Sequence, residues 1–430
     1  MLSPTAHPGR QFVVMAKPVG PVCNLTCPYC YYLGKRDLFP AGEHYQMSDE
    51  VLEAFVASFI QASLGPTVHF VWHGGEPTLA GVAFYRRAVE LQRRYLPDGW
   101  NCLNSIQTNG TLLDEKWCAF LAEERFAVGI SIDGPSALHD ASRRDHQGRP
   151  THARSMQGFR ALRDHGVDSD VLCTVNNVTA GAPREVYRYF LDQGVRWLQF
   201  IPIVERGEGG PCGAVSPTSV GPVAFGEFLC QIFDEWARHD IGRLDVQNFL
   251  EALLVVTGQP ANLCVMSETC GLALAVEHDG GVYSCDHFVD RAHLLGDVRR
   301  DGLGKLVGSA QQLAFGEAKR DRLPAQCREC AVLRLCNGGC PKQRLTGPQD
   351  AAPVNYLCAG YQAFFTHALP YLERMAALAH AGQRVSSLMG HLEAEERDDR
   401  RRWLTTGRND PCPCGSSKKF KLCCTAKLRR

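Results

Sequence analysis

Cysteine carries most of the chemical capacity of this chain: there are 20 in 430 residues, and most are grouped. Cys23, Cys27 and Cys30 lie in one stretch, CNLTCPYC. Cys264, Cys270, Cys285, Cys327, Cys330, Cys336, Cys340 and Cys358 fill a later segment, and Cys412, Cys414, Cys423 and Cys424 lie in the tail. The other five (Cys102, Cys118, Cys173, Cys212 and Cys230) are scattered and read as small buried hydrophobes. Three thiolates spaced C-x3-C-x2-C suit a [4Fe–4S] cluster in which one iron lacks a protein ligand and stays open to a substrate or cofactor. A closed zinc site needs a fourth ligand, and the nearest, His44, is poorly placed in an irregular stretch beyond the turn. The eight later thiols make two complete four-Cys shells, for zinc or for iron–sulfur. In the tail, Cys412-x-Cys414 and the adjacent pair Cys423-Cys424 can close a tetrahedral zinc site, with Gly415 permitting the tight turn. A module that small cannot bury a core and needs its metal to fold. Asp286 follows Cys285 directly, so the covalent chain keeps a carboxylate beside that ligand, a place a capping or turn Asp could also fill.

The elements that must position these groups alternate. Residues 11–17 (QFVVMAK), 68–75, 104–111, 126–134, 168–175 and 195–203 read as strands. Between them, helices are predicted from Ser48 (a plausible N-cap) and at 80–95, 114–124, 153–165 and 183–193. Strand–helix alternation at this spacing argues parallel βαβ units. About six repeats fit, fewer than the eight of a full barrel, so the expected fold is α/β, an open partial (β/α)6 barrel. Parallel strands place their following loops at one end, where the first Cys loop, HGGEP, QTNG and SIDG would converge. The stretch 206–222 is Gly/Pro/Ser-rich and reads as a loop, helices follow at 223–238 and 245–256, and 359–381 reads as one helix. The run EAEERDDRRR mixes both signs and reads as a solvated helical linker. The expected domains are a barrel over 1–240, a Cys-rich unit over 241–382, a linker over 383–406 and a tail module over 407–430.

Lys+Arg and Asp+Glu are 46 each, which argues against a bulk electrostatic nucleic-acid binder. No apolar run approaches the ~18 residues that span a bilayer, and the N-terminus shows no apolar signal core. The expectation is a cytoplasmic protein, and in that compartment clustered cysteines hold metal more often than they form disulfides.

The ordered set of Cys23/Cys27/Cys30, His73-Gly74-Gly75-Glu76-Pro77, QTNG and SIDGP resembles the radical S-adenosylmethionine (SAM) superfamily. The resemblance implies a cluster that donates one electron to SAM, releasing methionine and a 5′-deoxyadenosyl radical that abstracts an unactivated hydrogen. It also implies that Gly74, Gly75 and Glu76 approach the SAM amino group and that Ser131 and Arg143 contact SAM, while Asp133 and Gly134 shape a turn. The later spacing resembles the SPASM extension of peptide-modifying relatives. There the implied ligands interleave: Cys264, Cys270, Cys285 and Cys340 for one auxiliary [4Fe–4S] cluster, Cys327, Cys330, Cys336 and Cys358 for the other.

Within that group, CNLTCPYCYYLGK, WHGGEPTLAG, SIQTNGTLLD, ISIDGPSALHD and the SPASM spacing with Asp286 resemble anaerobic sulfatase-maturating enzymes. These oxidise the Cβ of a Cys or Ser in a sulfatase to Cα-formylglycine. The resemblance implies Asp286 as the base for the substrate thiol or hydroxyl, Tyr32 as a peptide contact, and an electron donor such as flavodoxin or ferredoxin. One departure is His73, where relatives often carry Gln; either can hydrogen-bond a peptide, and His could add a proton-transfer role. Another peptide substrate would use the same clusters. The tail resembles the SEC-C motif, with Cys424 where that family often has His, which implies zinc; Lys418, Lys419 and Lys421 give it a basic face, for docking to a partner or to a substrate not yet exported, unless it is a folded cap with no partner. A non-redox, zinc-stabilised binding protein is the competing expectation, and it leaves GGEP, QTNG and the barrel pattern without a purpose.

Overall fold

The computed structural model describes residues 11–40, 42–207, 214–346 and 352–424. Cys212 lies outside them. The strands are β1 (Val13–Ala16), β2 (Thr67–Trp72), β3 (Asn101–Thr108), β4 (Ala127–Ser131), β5 (Ser169–Val175), β6 (Trp197–Pro202), β7 (Asp245–Val246), β8 (Ala273–Val276), β9 (Gly281–Tyr283) and β10 (Leu294–Asp297). They form one sheet in the order β10-β9-β8-β1-β2-β3-β4-β5-β6-β7. From β8 through β1 to β7 every pair is parallel, and β9 and β10 are added antiparallel. Because β7 and β10 each have one neighbour, the sheet stays open, as the repeat count anticipates.

The helices α1 (Asp49–Ala62), α2 (Gly81–Tyr95), α3 (Glu115–Glu123), α4 (Ser136–Ser142), α5 (His152–Asp164), α6 (Pro183–Asp192), α7 (Pro222–His239) and α8 (Gln247–Val256) intervene between the strands. Ser48 caps α1, its hydroxyl accepting from the Val51 amide at 3.3 Å. The period-2 alternation of β2 puts Val68, Phe70 and Trp72 in the core, where Phe70 packs edge-on to Phe55 and Phe59 of α1 and Trp72 to Tyr85 of α2. The opposite face carries residues such as Gln107 and Ser131, whose side chains meet at 3.0 Å. Cys118 and Cys173 are fully buried, and Cys102 and Cys230 pack partly buried against the same core, as expected of scattered thiols.

Two expectations change. The boundary at 240/241 is no break in the sheet, because β7 extends it beyond β6 and β8 pairs with β1 along Val13↔Ala273 to Ala16↔Val276. The Cys-rich segment is therefore stitched to the barrel by backbone hydrogen bonds. The helix Ser387–Thr405 is also more than a solvated linker. Leu388 and Leu392 are buried, and Arg238–Glu396 (2.9 Å) and Arg374–Glu395 (2.7 Å) tie it to α7 and to the helix Cys358–His380.

Candidate functional site

The loop after β1 carries Cys23, Cys27 and Cys30, and the ends of successive strands hold it. Behind β2, the Gly75 and Glu76 amides donate to the carbonyls of Gly20 and Val22 at 2.8 Å each. A Cβ on Gly75 would sit 2.0 Å from the Val22 oxygen, so only glycine lets the two loops meet. Behind β3, Asn109 Nδ2 donates to Asn24 Oδ1 at 2.8 Å, and Asn24 Nδ2 to Thr111 Oγ1 at 2.9 Å. Behind β4, Tyr29 donates to Asp133 at 2.6 Å, and Arg143 Nε donates to the same carboxylate at 2.8 Å. Asp133 thus does more than shape a turn. The ordered motifs of the sequence form the setting of the three-Cys loop.

Glu76 is buried, and its Oε1 accepts from the Thr78 amide, the Thr78 hydroxyl and Thr108 Oγ1 while Oε2 accepts from the Asn109 amide. It binds the GGEP and QTNG loops together, which leaves only Oε2 spare capacity for the expected contact with an ammonium. Arg143 is buried in its pair with Asp133, and its guanidinium lies 5.7 Å from the Tyr29 ring centroid.

Burial, with the Glu76 charge second, pushes the Cys23 thiol up to about 12; burial does the same to Cys27, partly opposed by Arg143. Three soft donors that repel one another as thiolates suit a cationic iron–sulfur group, which relieves that cost. The eight later thiols separate into two sets. Cys264, Cys270, Cys285 and Cys340 perturb one another. Cys327, Cys330, Cys336 and Cys358 do likewise. Thiolate-only donors fit four-iron clusters. In the tail, the sulfurs of Cys412, Cys414, Cys423 and Cys424 all lie within 4.8 Å of one another, as one tetrahedral ion needs. Phe420 packs there, its ring 5.9 Å from that of Trp403.

Asp286 occupies the meeting point of barrel and Cys-rich segment. Lys17, fully buried at the end of β1, donates to Asp286 Oδ1, and Tyr31 donates to Oδ2. Burial alone would raise the Asp286 carboxyl; the Lys17 charge overcomes it and holds it well below the usual range. His73 Nδ1 accepts from the Gly74 amide at 2.7 Å and faces Lys17 Nζ at 3.1 Å. With Nδ1 accepting, hydrogen bonding assigns the ring proton to Nε2. Burial, reinforced by Lys17, lowers the His73 pKa to about 4, so the ring is a neutral donor at pH 7, which favours its hydrogen-bonding role over proton transfer. His287, likewise lowered to about 4 by burial, lies beside Cys340 (Nδ1···Sγ 3.6 Å).

Tyr32 has partners of its own within the fold. Its ring is buried against Ala275, Tyr283 and Val289, its hydroxyl donates to Glu277, and Lys17 lies 4.6 Å over its face. The neighbouring Tyr31 is the tyrosine that reaches Asp286. Sequence reasoning missed Lys17 and Tyr31. Alternation along VVMAK offered a signal for Lys17, which falls in register with Val13 and Met15 and opposite the core-facing Val14 and Ala16.

Comparison with known proteins agrees with this geometry. Residues 18–190 match the radical SAM superfamily, 268–331 an iron-sulfur cluster-binding domain of the SPASM type, and 408–424 the SEC-C motif. The chain is 42% identical over 379 residues to a serine-type anaerobic sulfatase-maturating enzyme of Bacteroides thetaiotaomicron, covering 85% of this chain and 91% of that one. It is 33% identical to a cysteine-type counterpart of Clostridium perfringens, covering 84% and 98%. The solved structure of native anSMEcpe with bound AdoMet superposes with TM-score 0.77 at 33% identity, over 85% of this chain and 99% of that one. A second, with AdoMet and the Kp18Cys peptide bound, gives 0.76 at 32% identity with the same coverage. Among the described residues no helix is long and apolar enough to cross a membrane. In sequence and in fold, the chain belongs to the family of anaerobic sulfatase-maturating enzymes.

Proposed function

We propose that the chain oxidises the Cβ of a Cys or Ser in a not yet folded sulfatase to Cα-formylglycine. The observation that carries this reading is the buried Asp286 carboxylate, held ionised by Lys17 at the junction of the three-Cys loop and the later Cys segment. A substrate side chain delivered there meets a carboxylate largely removed from solvent. Cys23, Cys27 and Cys30 hold the SAM cluster. Cys264, Cys270, Cys285 and Cys340 hold one auxiliary cluster, and Cys327, Cys330, Cys336 and Cys358 the other. When bound, SAM and the clusters supply the radical that removes one Cβ hydrogen and an acceptor for the electron the substrate then loses.

The chain's own residues do the rest. Asp286 takes the thiol or hydroxyl proton, and Lys17 fixes the carboxylate while the substrate approaches. His73 Nε2–H offers one donor to the peptide backbone, the part a Gln amide would play. Gly74, Gly75 and Glu76 hold the Cys loop rigid, and Ser131 and Arg143 are the SAM contacts. Tyr31, hydrogen-bonded to Asp286, is the better-placed tyrosine for the substrate contact expected of Tyr32. The tail holds zinc through Cys412, Cys414, Cys423 and Cys424, and its lysines offer a docking face to a partner. The electron donor is a low-potential carrier such as flavodoxin or ferredoxin, and the compartment is the cytoplasm.

Anaerobically purified protein should be brown and carry about twelve irons per chain. With reductant and SAM, a peptide containing Cys-x-Pro-x-Arg should lose ~18 Da, or its Ser counterpart ~2 Da, as CHO replaces CH2SH or CH2OH. 5′-Deoxyadenosine without a mass change in either peptide would move the assignment to another peptide substrate. A colourless protein holding zinc alone would establish the non-redox binder.

A further inference from the structure

The turn between Cys336 and Cys340 is the shortest covalent link between the two auxiliary thiol sets, since it carries one member of each. Asn337, Gly338 and Gly339 all take positive φ (46°, 70° and 61°), a tight reversal that sets the two thiols apart. Two side chains fasten it. Arg344 donates from Nε to the Gly338 carbonyl and from Nη2 to the Asn337 carbonyl, each at 3.3 Å. Asn355 Nδ2 donates to the Gly338 carbonyl at 3.4 Å and the Cys340 carbonyl at 3.5 Å. A Cβ on Gly338 would sit 2.8 Å from Arg344 Nη2, so the guanidinium packs closely against the turn.

Arg344 is 8% exposed, and among the described residues no carboxylate is within ion-pair distance of it. A buried cation without a counter-charge is costly, and proteins do not keep one idle. The groups that favour its charge against burial are thiols of both sets: Cys327 and Cys336 on one side, Cys340 and Cys270 on the other. Lys319 makes an informative contrast. It donates to the carbonyls of Cys264 (2.6 Å), Val265 (3.1 Å) and Ser267, and the thiols that favour its charge are Cys264, Cys270 and Cys340, all of the first set.

We propose that Arg344 is the shared counter-charge of the two auxiliary iron–sulfur sites, making both readier to accept an electron. The proposal rests on the assignment of these eight thiols to two four-iron clusters. Reduction adds negative charge to a cluster already anionic through its thiolates, so a buried cation beside it stabilises the reduced form more than the oxidised one. Placed between the two sets, one guanidinium acts on both at once. Arg344 works through the clusters and does not touch the substrate.

The test is an anaerobic redox titration followed by electron paramagnetic resonance on the full-length holoenzyme. Cys23, Cys27 and Cys30 are replaced by Ala so that only the auxiliary signals remain. This parent should carry about eight irons per chain. Arg344→Gln should move both auxiliary midpoints to more negative potential with iron unchanged, Arg344→Lys should restore them, and Lys319→Met should move one signal only. Full iron in Arg344→Gln with an unmoved midpoint, or with one midpoint moved, overturns the proposal. If the Gln variant loses iron while the Lys variant keeps full iron and parental midpoints, charge is required even to hold the sites, and the proposal stands. If both lose iron, the guanidinium is only a clamp for the turn, and the proposal falls. A parent chain well short of eight irons overturns the cluster assignment itself, which separates that failure from the failure of Arg344.

Discussion

Asp286 is a carboxylate that would rather be protonated where it sits, and Lys17 prevents this. Asp286→Asn keeps the shape and removes the base, so peptide oxidation should fall about 10²–10⁴-fold while iron content stays at the parental level. Mass spectrometry of the peptide and iron analysis of the protein measure the two. His73 makes a separate case. With its pKa lowered to about 4 the ring is neutral throughout the working range, so His73→Gln should leave the acid limb of the pH–rate profile in place. A limb that moves with this substitution would return His73 to proton transfer. At this scale the sequence disclosed the residues tied to a cluster ligand by one peptide bond, such as Asp286. It did not disclose Lys17, whose partner lies 269 positions away, nor decide between adjacent tyrosines. Tyr31 and Tyr32 differ only in the direction each takes off the loop, and tertiary packing sets that direction.

Among the elements, the barrel strands and helices were legible because each is long enough to show its period. β2 and β3 run six and eight residues, and α2 fifteen. The strands that join the Cys-rich segment to the barrel, β8, β9 and β10, have four, three and four residues, too few for alternation to register. They exist because β1 offers an edge to pair with, a fact of the assembled sheet and not of their own sequence. The docking of the helix Ser387–Thr405 hangs on Leu388 and Leu392, which a dense run of charges conceals. The contact between the GGEP turn and the Cys loop gives this scale its prediction. Gly75→Ala drives a methyl to 2.0 Å from the Val22 oxygen, so the loop must shift. The variant should lose the iron of the SAM cluster, about four per chain, and keep the auxiliary eight. Retention of all twelve, with normal SAM cleavage, would show that the loop has more slack than its hydrogen bonds imply.

Across the whole molecule, three thiol-lined sites are built into or against one open sheet, and a fourth hangs on the terminal helix through Trp403 and Phe420. That arrangement separates chemistry from the tail. Cys423→Ser with Cys424→Ser should remove about one zinc per chain and leave peptide oxidation unchanged. A fall in rate with short peptides would place the tail in catalysis instead of docking. The central claim is that a hydrogen leaves the Cβ of a Cys or Ser beside Asp286, and isotope transfer measures this directly. With a sulfatase-type peptide deuterated at that Cβ, the 5′-deoxyadenosine formed should be heavier by ~1 Da, in step with aldehyde. Unlabelled 5′-deoxyadenosine beside an unchanged peptide would contradict the account.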